Sequence, residues 1–266
     1  MDEKILFISG NLIKHKFLAI KTLKKFKNMK IIFEKYPKNI EKNYVKKNSL
    51  SVKEHFKNVT RYEKKYFKKY VEKNNEFLRK RTLFQVKKGY INNQNILNEI
   101  LNYNPKLIVI NATSILSKKF IKFFKNKIIN VHAGILPYYR GSGCNVWPFY
   151  YNELEYVGMT IHFVNSGLDT GNIILQLRSN FSAYDNTHSV GCKNTISSIN
   201  LLNRAIRHVL KKSRYRGKKI KSKFSRLCLK KEFNKHTITR INKNLFLGIV
   251  KKYLKKSKKI KIVDQL

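Results

Sequence analysis

Apolar positions along the chain fall into short unbroken runs, and between the runs they recur every three or four residues. The runs at 4–9 (KILFIS), 30–33 and 107–110 (LIVI) lack the alternation of half-exposed strands and suit strands buried on both faces of a parallel sheet. Between them, Phe17, Leu18, Thr22, Leu23 and Phe26 mark one helix. Ile96, Leu97, Ile100 and Leu101 mark another over 92–103, stopped by Pro105. A third strand is predicted at 82–86 and a helix at 117–124, leading into a strand that carries Asn130 and His132.

Beyond them come strands ending near Phe163 and over 173–177, then a long helix over 187–210 with Ile196, Ile199, Leu202 and Ile206. After Pro37 a lysine-rich segment repeats Phe56, Val59, Tyr62, Tyr66, Phe67 and Tyr70 at helical spacing, which predicts a basic helix with a core-facing aromatic stripe. Strands alternating with helices predict an α/β fold: a Rossmann-like, open, mostly parallel sheet flanked by helices. We divide the chain into an α/β domain over 1–210 and a basic C-terminal extension over 211–266. Residues 211–223 of the extension serve as a connector, and one helix, capped by Thr237, presents Ile238, Ile241, Leu245 and Ile249 on one face.

Composition changes the picture in one respect. Of 266 residues, 58 are Lys or Arg and 15 are Asp or Glu, a formal net charge of +43 that would draw in polyanions, anionic lipid or phosphorylated metabolites. Lysine is spread over nearly every segment alongside Asn and Ile, which favours compositional drift over a built nucleic-acid face; a small-molecule partner is preferred to nucleic acid. Three separated cysteines, Cys144, Cys192 and Cys228, suggest neither a disulfide framework nor a zinc site and point to the cytoplasm. No membrane span, metal-ligand cluster or Gly-Lys-Ser/Thr phosphate loop is visible, and nothing indicates the oligomeric state.

The candidate chemistry sits in 127–141 (KIINVHAGILPYYRG) and 158–171 (GMTIHFVNSGLDTG). Residues two apart on a strand share a face, so Asn130 and His132 aim an amide and an imidazole at one point, and Asp169 follows a later strand. In an open α/β sheet, loops at the carboxyl ends of strands form the site, which places residues 113–116, His132 and the loop after Val164 together. An amide, an imidazole and a carboxylate gathered there can move an acyl group between nitrogens. The amide and imidazole hold the oxyanion while the carboxylate orients the imidazole and helps move protons.

Asn130-Val131-His132, followed by Leu136-Pro137 and by Gly167-Leu168-Asp169-Thr170-Gly171, resembles the folate-dependent formyltransferases, over roughly 106–176. That family includes enzymes acting on glycinamide ribonucleotide, methionyl-tRNA and nucleotide-linked amino sugars. The resemblance implies Asn130, His132 and Asp169 as the catalytic trio and 10-formyltetrahydrofolate as formyl donor. It implies Thr113, Ser114, Ile115, Leu116, Val164 and Leu168 on the folate side, and no metal. The family sets its His and Asp one residue closer, so an insertion is expected between Gly141 and Gly158, in a surface loop.

On the acceptor side, Ser9-Gly10-Asn11 resembles the phosphate-binding turn of the glycinamide ribonucleotide branch, although Leu12-Ile13 lacks the second glycine such a cradle needs. Arg140 and Gly141, in the stretch YYRGSGCNVWP, are expected to face the acceptor, with Arg140 meeting an anionic group. His162 is expected to pack behind the site, Cys144 to be a bystander, and His15, His55, His188, His208 and His236 to lie on the surface. The expected activity is formyl transfer to a primary amine of a small acceptor such as an amino sugar. Glycinamide ribonucleotide and methionyl-tRNA are alternatives, as is a non-enzymatic basic RNA-binding or scaffold protein on the same fold.

Overall fold

The unbroken apolar runs form one seven-stranded sheet. In the computed structural model, which describes residues 3–36, 49–212, 214–258 and 260–265, its order is β3-β2-β1-β4-β5-β7-β8. The strands are β1 (Ile5–Gly10), β2 (Met29–Lys35), β3 (Thr82–Lys87), β4 (Leu107–Asn111), β5 (Ile128–Ala133), β7 (Gly158–Phe163) and β8 (Ile173–Arg178). The first five in spatial order pair in parallel; β7 runs antiparallel to β5, and β8 antiparallel to β7. The expected open, mostly parallel sheet is therefore what forms.

Each face of the sheet has its own helical layer. Ile5 and Phe7 of β1 pack with α1 (Ile13–Leu23), α2 (Leu50–Lys73) and α7 (Thr187–Lys211). Leu6 and Ile8 pack with α4 (Gln94–Tyr103) and α5 (Lys118–Phe123). Alternate side chains of one strand thus serve opposite layers, which is why the sequence shows a solid run there. The aromatic stripe of α2 divides its work. Phe67 stacks on Phe17 with ring centroids 4.5 Å apart, Tyr62 and Tyr70 lean on the same core, and Phe56 and Val59 line a cavity. A short helix, α3 (Asn75–Arg81), joins α2 to β3. Residues 37–48, including the predicted break at Pro37, lie outside the described residues.

Three expectations are corrected. The stretch between Gly141 and Gly158 is not a surface loop: it holds α6 (Trp147–Tyr151), and Cys144, Trp147, Phe149, Leu154 and Val157 are buried. Its many apolar and aromatic residues form two clusters with the C-terminal segment, so burial is the physical outcome.

The extension has two helices, α8 (Lys235–Phe246) and α9 (Ile249–Lys255), broken at Gly248, whose φ of +74° suits glycine. Asn234, not Thr237, caps α8; its side chain accepts the Thr237 N–H at 3.2 Å. The connector touches the sheet on its way: Lys218 exchanges two backbone hydrogen bonds with Ile173, and Ile220 is buried. Farther along, β9 (Arg226–Cys228) pairs in parallel with β6 (Tyr139–Gly141). Among the described residues, no helix is long and apolar enough to cross a membrane.

Candidate active site

β5 carries the first two candidates to the carboxyl end of the sheet. Its antiparallel register with β7 sets Asn130 opposite His162 and His132 opposite Thr160. Directly opposed residues in such a pair project to the same side, so Asn130 meets His162 by construction. The loop after β7 then returns Asp169, in a left-handed conformation with φ +51°, between both imidazoles. Asp169 Oδ2 lies 3.4 Å from His132 Nδ1, and Oδ1 lies 3.5 Å from His162 Nε2 and 3.3 Å from Asn130 Nδ2.

The ring tautomers follow from their partners. His162 Nδ1 faces the Phe163 carbonyl at 2.8 Å and must donate, while Nε2 faces both Asn130 Nδ2 at 3.1 Å and the Asp169 carboxylate. His132 Nε2 likewise donates to the Tyr139 carbonyl at 2.9 Å, so its Nδ1 presents a lone pair toward Asp169. β6 thereby holds both ionisable members of the trio: the Tyr139 carbonyl takes His132, and the Gly141 N–H donates to Asp169 Oδ2 at 2.9 Å. On the other edge of β6, β9 supplies Arg226 N–H to the Tyr138 carbonyl and takes Ser142 N–H on the Cys228 carbonyl. The Tyr139 hydroxyl donates to Glu153, which also binds Arg226.

Electrostatics separate the two groups. Burial opposes charge on Asp169, but the His162 and His132 imidazoles and the Gly141 N–H hold its carboxyl well below the usual carboxylate range. Burial dominates at His132 and keeps its pKa below the ordinary imidazole value despite Asp169 beside it. A neutral base next to a fixed anion results.

The trio opens into a cavity of about 730 Å³. Thr113, Ser114, Ile115 and Leu116 from the loop after β4 line one side; Val164 and Leu168 line another, so all six folate-side candidates reach the same space. Ile115 is 78% exposed and Leu168 40%, an unusual pair of apolar side chains left at the cavity edge. The β4 loop is braced from below: buried Glu34 accepts from the Lys88 ammonium and from the backbone N–H groups of Gly89 and Ser114. Among the described residues, no three His, Cys, Asp or Glu side chains gather as metal ligands would.

The acceptor-side candidates fare differently. Gly141 lines the cavity, whereas Ser9, Gly10, Asn11 and Arg140 are not on its wall. Ser9 is fully buried, Asn11 Oδ1 accepts the Tyr36 N–H, and the Arg140 guanidinium donates to Ser225. The nearest cation at that turn, Lys14, is 2.8 Å from Glu63 of α2, a buried carboxylate that neutralises it.

Sequence reasoning missed several residues. His162 packs behind the site as expected, and the β5/β7 register adds what the sequence did not show, that it touches both Asn130 and Asp169. His15 and His55 are buried rather than on the surface, His188 and His208 are half-buried, and His236 alone of the five is exposed. His15, His55 and His188 line the cavity, and His55 Nδ1 lies 3.2 Å from His188 Nε2. Nothing local in sequence pairs positions 55 and 188, because α2 and α7 meet only in the tertiary fold. Cys144 also lines the cavity, with its thiol hydrogen-bonded to that of Cys228.

Known proteins resemble the chain in sequence and in fold. A methionyl-tRNA formyltransferase from Alkaliphilus oremlandii is 42% identical over 83 residues, 31% of this chain and 26% of that protein. The chain spans about a quarter to a third of the length of the first such relatives it matches. Phosphoribosylglycinamide formyltransferase from Anaplasma phagocytophilum has the same fold, with a TM-score of 0.59 at 15% identity over 86% of this chain and 99% of that one. So does an N-formyltransferase from Helicobacter canadensis solved with folinic acid and dTDP-3-aminofucose, with a TM-score of 0.56 at 18% identity over 90% of this chain and 79% of that one. The family model described as Formyl transferase matches residues 27–205, from the start of β2 through most of α7 and across the entire trio, and on that match the chain belongs to the formyl transferase family.

Proposed function

We propose that the protein is an N-formyltransferase that moves a formyl group from 10-formyltetrahydrofolate to a primary amine on a small acceptor, an amino sugar being the favoured class. The observation that carries this reading is the convergence of Asn130 and His132 on the Asp169 carboxylate, at 3.3 and 3.4 Å, on the wall of one cavity. The donor fits the residues present. The β4 loop and the Asp169 loop line the cavity with apolar Ile115, Leu116, Val164 and Leu168 beside polar Thr113, Ser114 and Asn165, a suitable lining for a flat ring with polar edges.

When bound, the folate supplies an activated formyl carbon. His132 Nδ1 would take the proton that the acceptor amine loses as its nitrogen replaces the folate nitrogen on that carbon, and could return it to the departing folate nitrogen; the imidazolium in between would face the Asp169 carboxylate. Asn130 Nδ2 is shared between His162 and Asp169 in the free protein. The 3.3 Å bond to Asp169 is the weaker and can be exchanged for one to the developing oxyanion. His132, once protonated, is a second source of positive charge for that oxygen.

Glycinamide ribonucleotide is disfavoured because the turn that would seat its phosphate presents Lys14 already paired with Glu63. Methionyl-tRNA stays as the second reading, favoured by the names of the sequence relatives and by the charge. Incubation with labelled formyl-folate and separate pools of nucleotide-linked amino sugars, glycinamide ribonucleotide and charged tRNA tests the assignment. Label should enter the amino-sugar pool and be abolished by His132→Ala; label on charged tRNA alone would replace this acceptor, and label on none would overturn the activity.

A further inference from the structure

The helical hairpin at the C-terminal end carries a surface that neither the sheet nor the cavity uses. α8 and α9 are seated firmly, since Ile241, Ile249 and Val250 are buried with Phe149 and Phe181, and Asn244 donates to the Phe149 and Tyr150 carbonyls. Their outward side nonetheless keeps large apolar groups in water. Phe246 is 91% exposed and Leu247 51%, both at the turn between the helices, and Leu254 is 46% exposed one turn and a half further on. Lys251 and Leu254 stand three residues apart on one face of α9, and the Lys251 ammonium lies 5.3 Å from the ring of Tyr184, itself 89% exposed. An aromatic and aliphatic patch is thus interleaved with lysines.

Its charge has one sign. No acidic residue occurs between Glu232 and Asp264, while Lys243, Lys251, Lys252 and Lys255 are exposed. The carboxylates that come near are occupied: Asp185 binds Lys193 at 2.6 Å, and buried Glu155 faces Lys258 at 3.8 Å. A second copy of the chain would bring lysines against lysines in a two-fold contact, and nucleic acid, whose bases can stack on Phe246, would leave Leu247 and Leu254 without an apolar partner. An anionic bilayer satisfies both halves of the pattern, because headgroups take the lysines and acyl chains take the apolar tip. We infer that the α8–α9 hairpin is a peripheral docking surface for membranes rich in anionic lipid, tipped by Phe246 and Leu247. None of these residues lines the cavity, so the inference stands apart from the proposed formyl transfer.

Co-sedimentation of the full chain with phosphatidylcholine vesicles, with and without about one-third phosphatidylglycerol, tests it. Binding should require the anionic lipid and weaken as salt rises. The Phe246→Ser/Leu247→Ser double variant, with all lysines retained, should bind roughly tenfold more weakly, while its affinity for a single-stranded RNA stays unchanged. In the Phe246→Trp variant, brominated acyl chains should quench the added indole. Equal vesicle binding by the double variant, an added indole that stays unquenched, or a dimer that the double substitution disperses would each overturn the assignment.

Discussion

Asn130 and His162 face each other across the β5/β7 pair, with the amide nitrogen of one 3.1 Å from the ring nitrogen of the other. His162 is tied at its far side to the Phe163 carbonyl, so the ring cannot turn away and Asn130 is held by a fixed partner. We expect His162→Phe, which keeps an aromatic ring of similar size, to lower kcat about 10- to 100-fold while KM for the acceptor changes little. Steady-state kinetics beside a thermal melt checks this. An unaltered kcat in a folded variant would reduce His162 to packing.

Gly141 is the point where the trio meets β9. Its φ of +95° is a glycine conformation, and a Cβ there would strike the Cys228 carbonyl. Gly141→Ala should therefore separate β6 from β9 and loosen the N–H bond that supports the Asp169 carboxylate, lowering both Tm and transfer. Gly143, also at positive φ (+73°) and only two residues on, has no atom closer than 3.4 Å to where a Cβ would stand, so Gly143→Ala carries the backbone strain without the clash, should cost less Tm and transfer than Gly141→Ala, and serves as the control.

Stability should fall in mild acid through His55 and His188. Burial pushes His55 down to about 3, helped by the neighbouring imidazole, and pushes His188 down to about 4. In the unfolded chain both take up protons near pH 6.5, so below that value the unfolded state binds more protons and gains on the folded one. Their contribution is complete above about pH 6.5 and is lost progressively toward pH 4 and 3. Tm measured from pH 7.5 to 4.5 should decline, and His188→Gln should make the decline shallower.

Glu63→Gln leaves Lys14 charged and half-covered with no carboxylate partner. The variant should lose about 1–3 kcal/mol of stability by chemical denaturation. It should also gain sensitivity to inorganic phosphate, seen as stabilisation or inhibition absent from the parent, because the ammonium at the β1–α1 turn then needs an anion. A melt titrated with phosphate separates these outcomes.

The large sheet was legible because its strands are buried on both faces, and solid runs such as LIVI admit few other readings. Asn130, His132 and Asp169 stood out because two of them share a strand face and the third sits in a Gly-rich turn. What stayed hidden depended on contacts between distant segments. His55 and His188 look like surface residues among lysines until α2 and α7 are packed together, and the Gly141–Gly158 stretch reads as a loop until the C-terminal segment covers it. Arg140 looked available for an anion, yet Ser225, which its side chain meets, lies in a segment with no strong pattern of its own.

Because β6 is gripped on one edge by the trio and on the other by residues 226–228, the order of synthesis matters. A nascent polypeptide has all seven strands of the main sheet outside the ribosome well before Arg226 emerges. Until it does, the backbone that braces His132 and Asp169 lacks its outer support, and the candidate pocket matures only after the main sheet has formed.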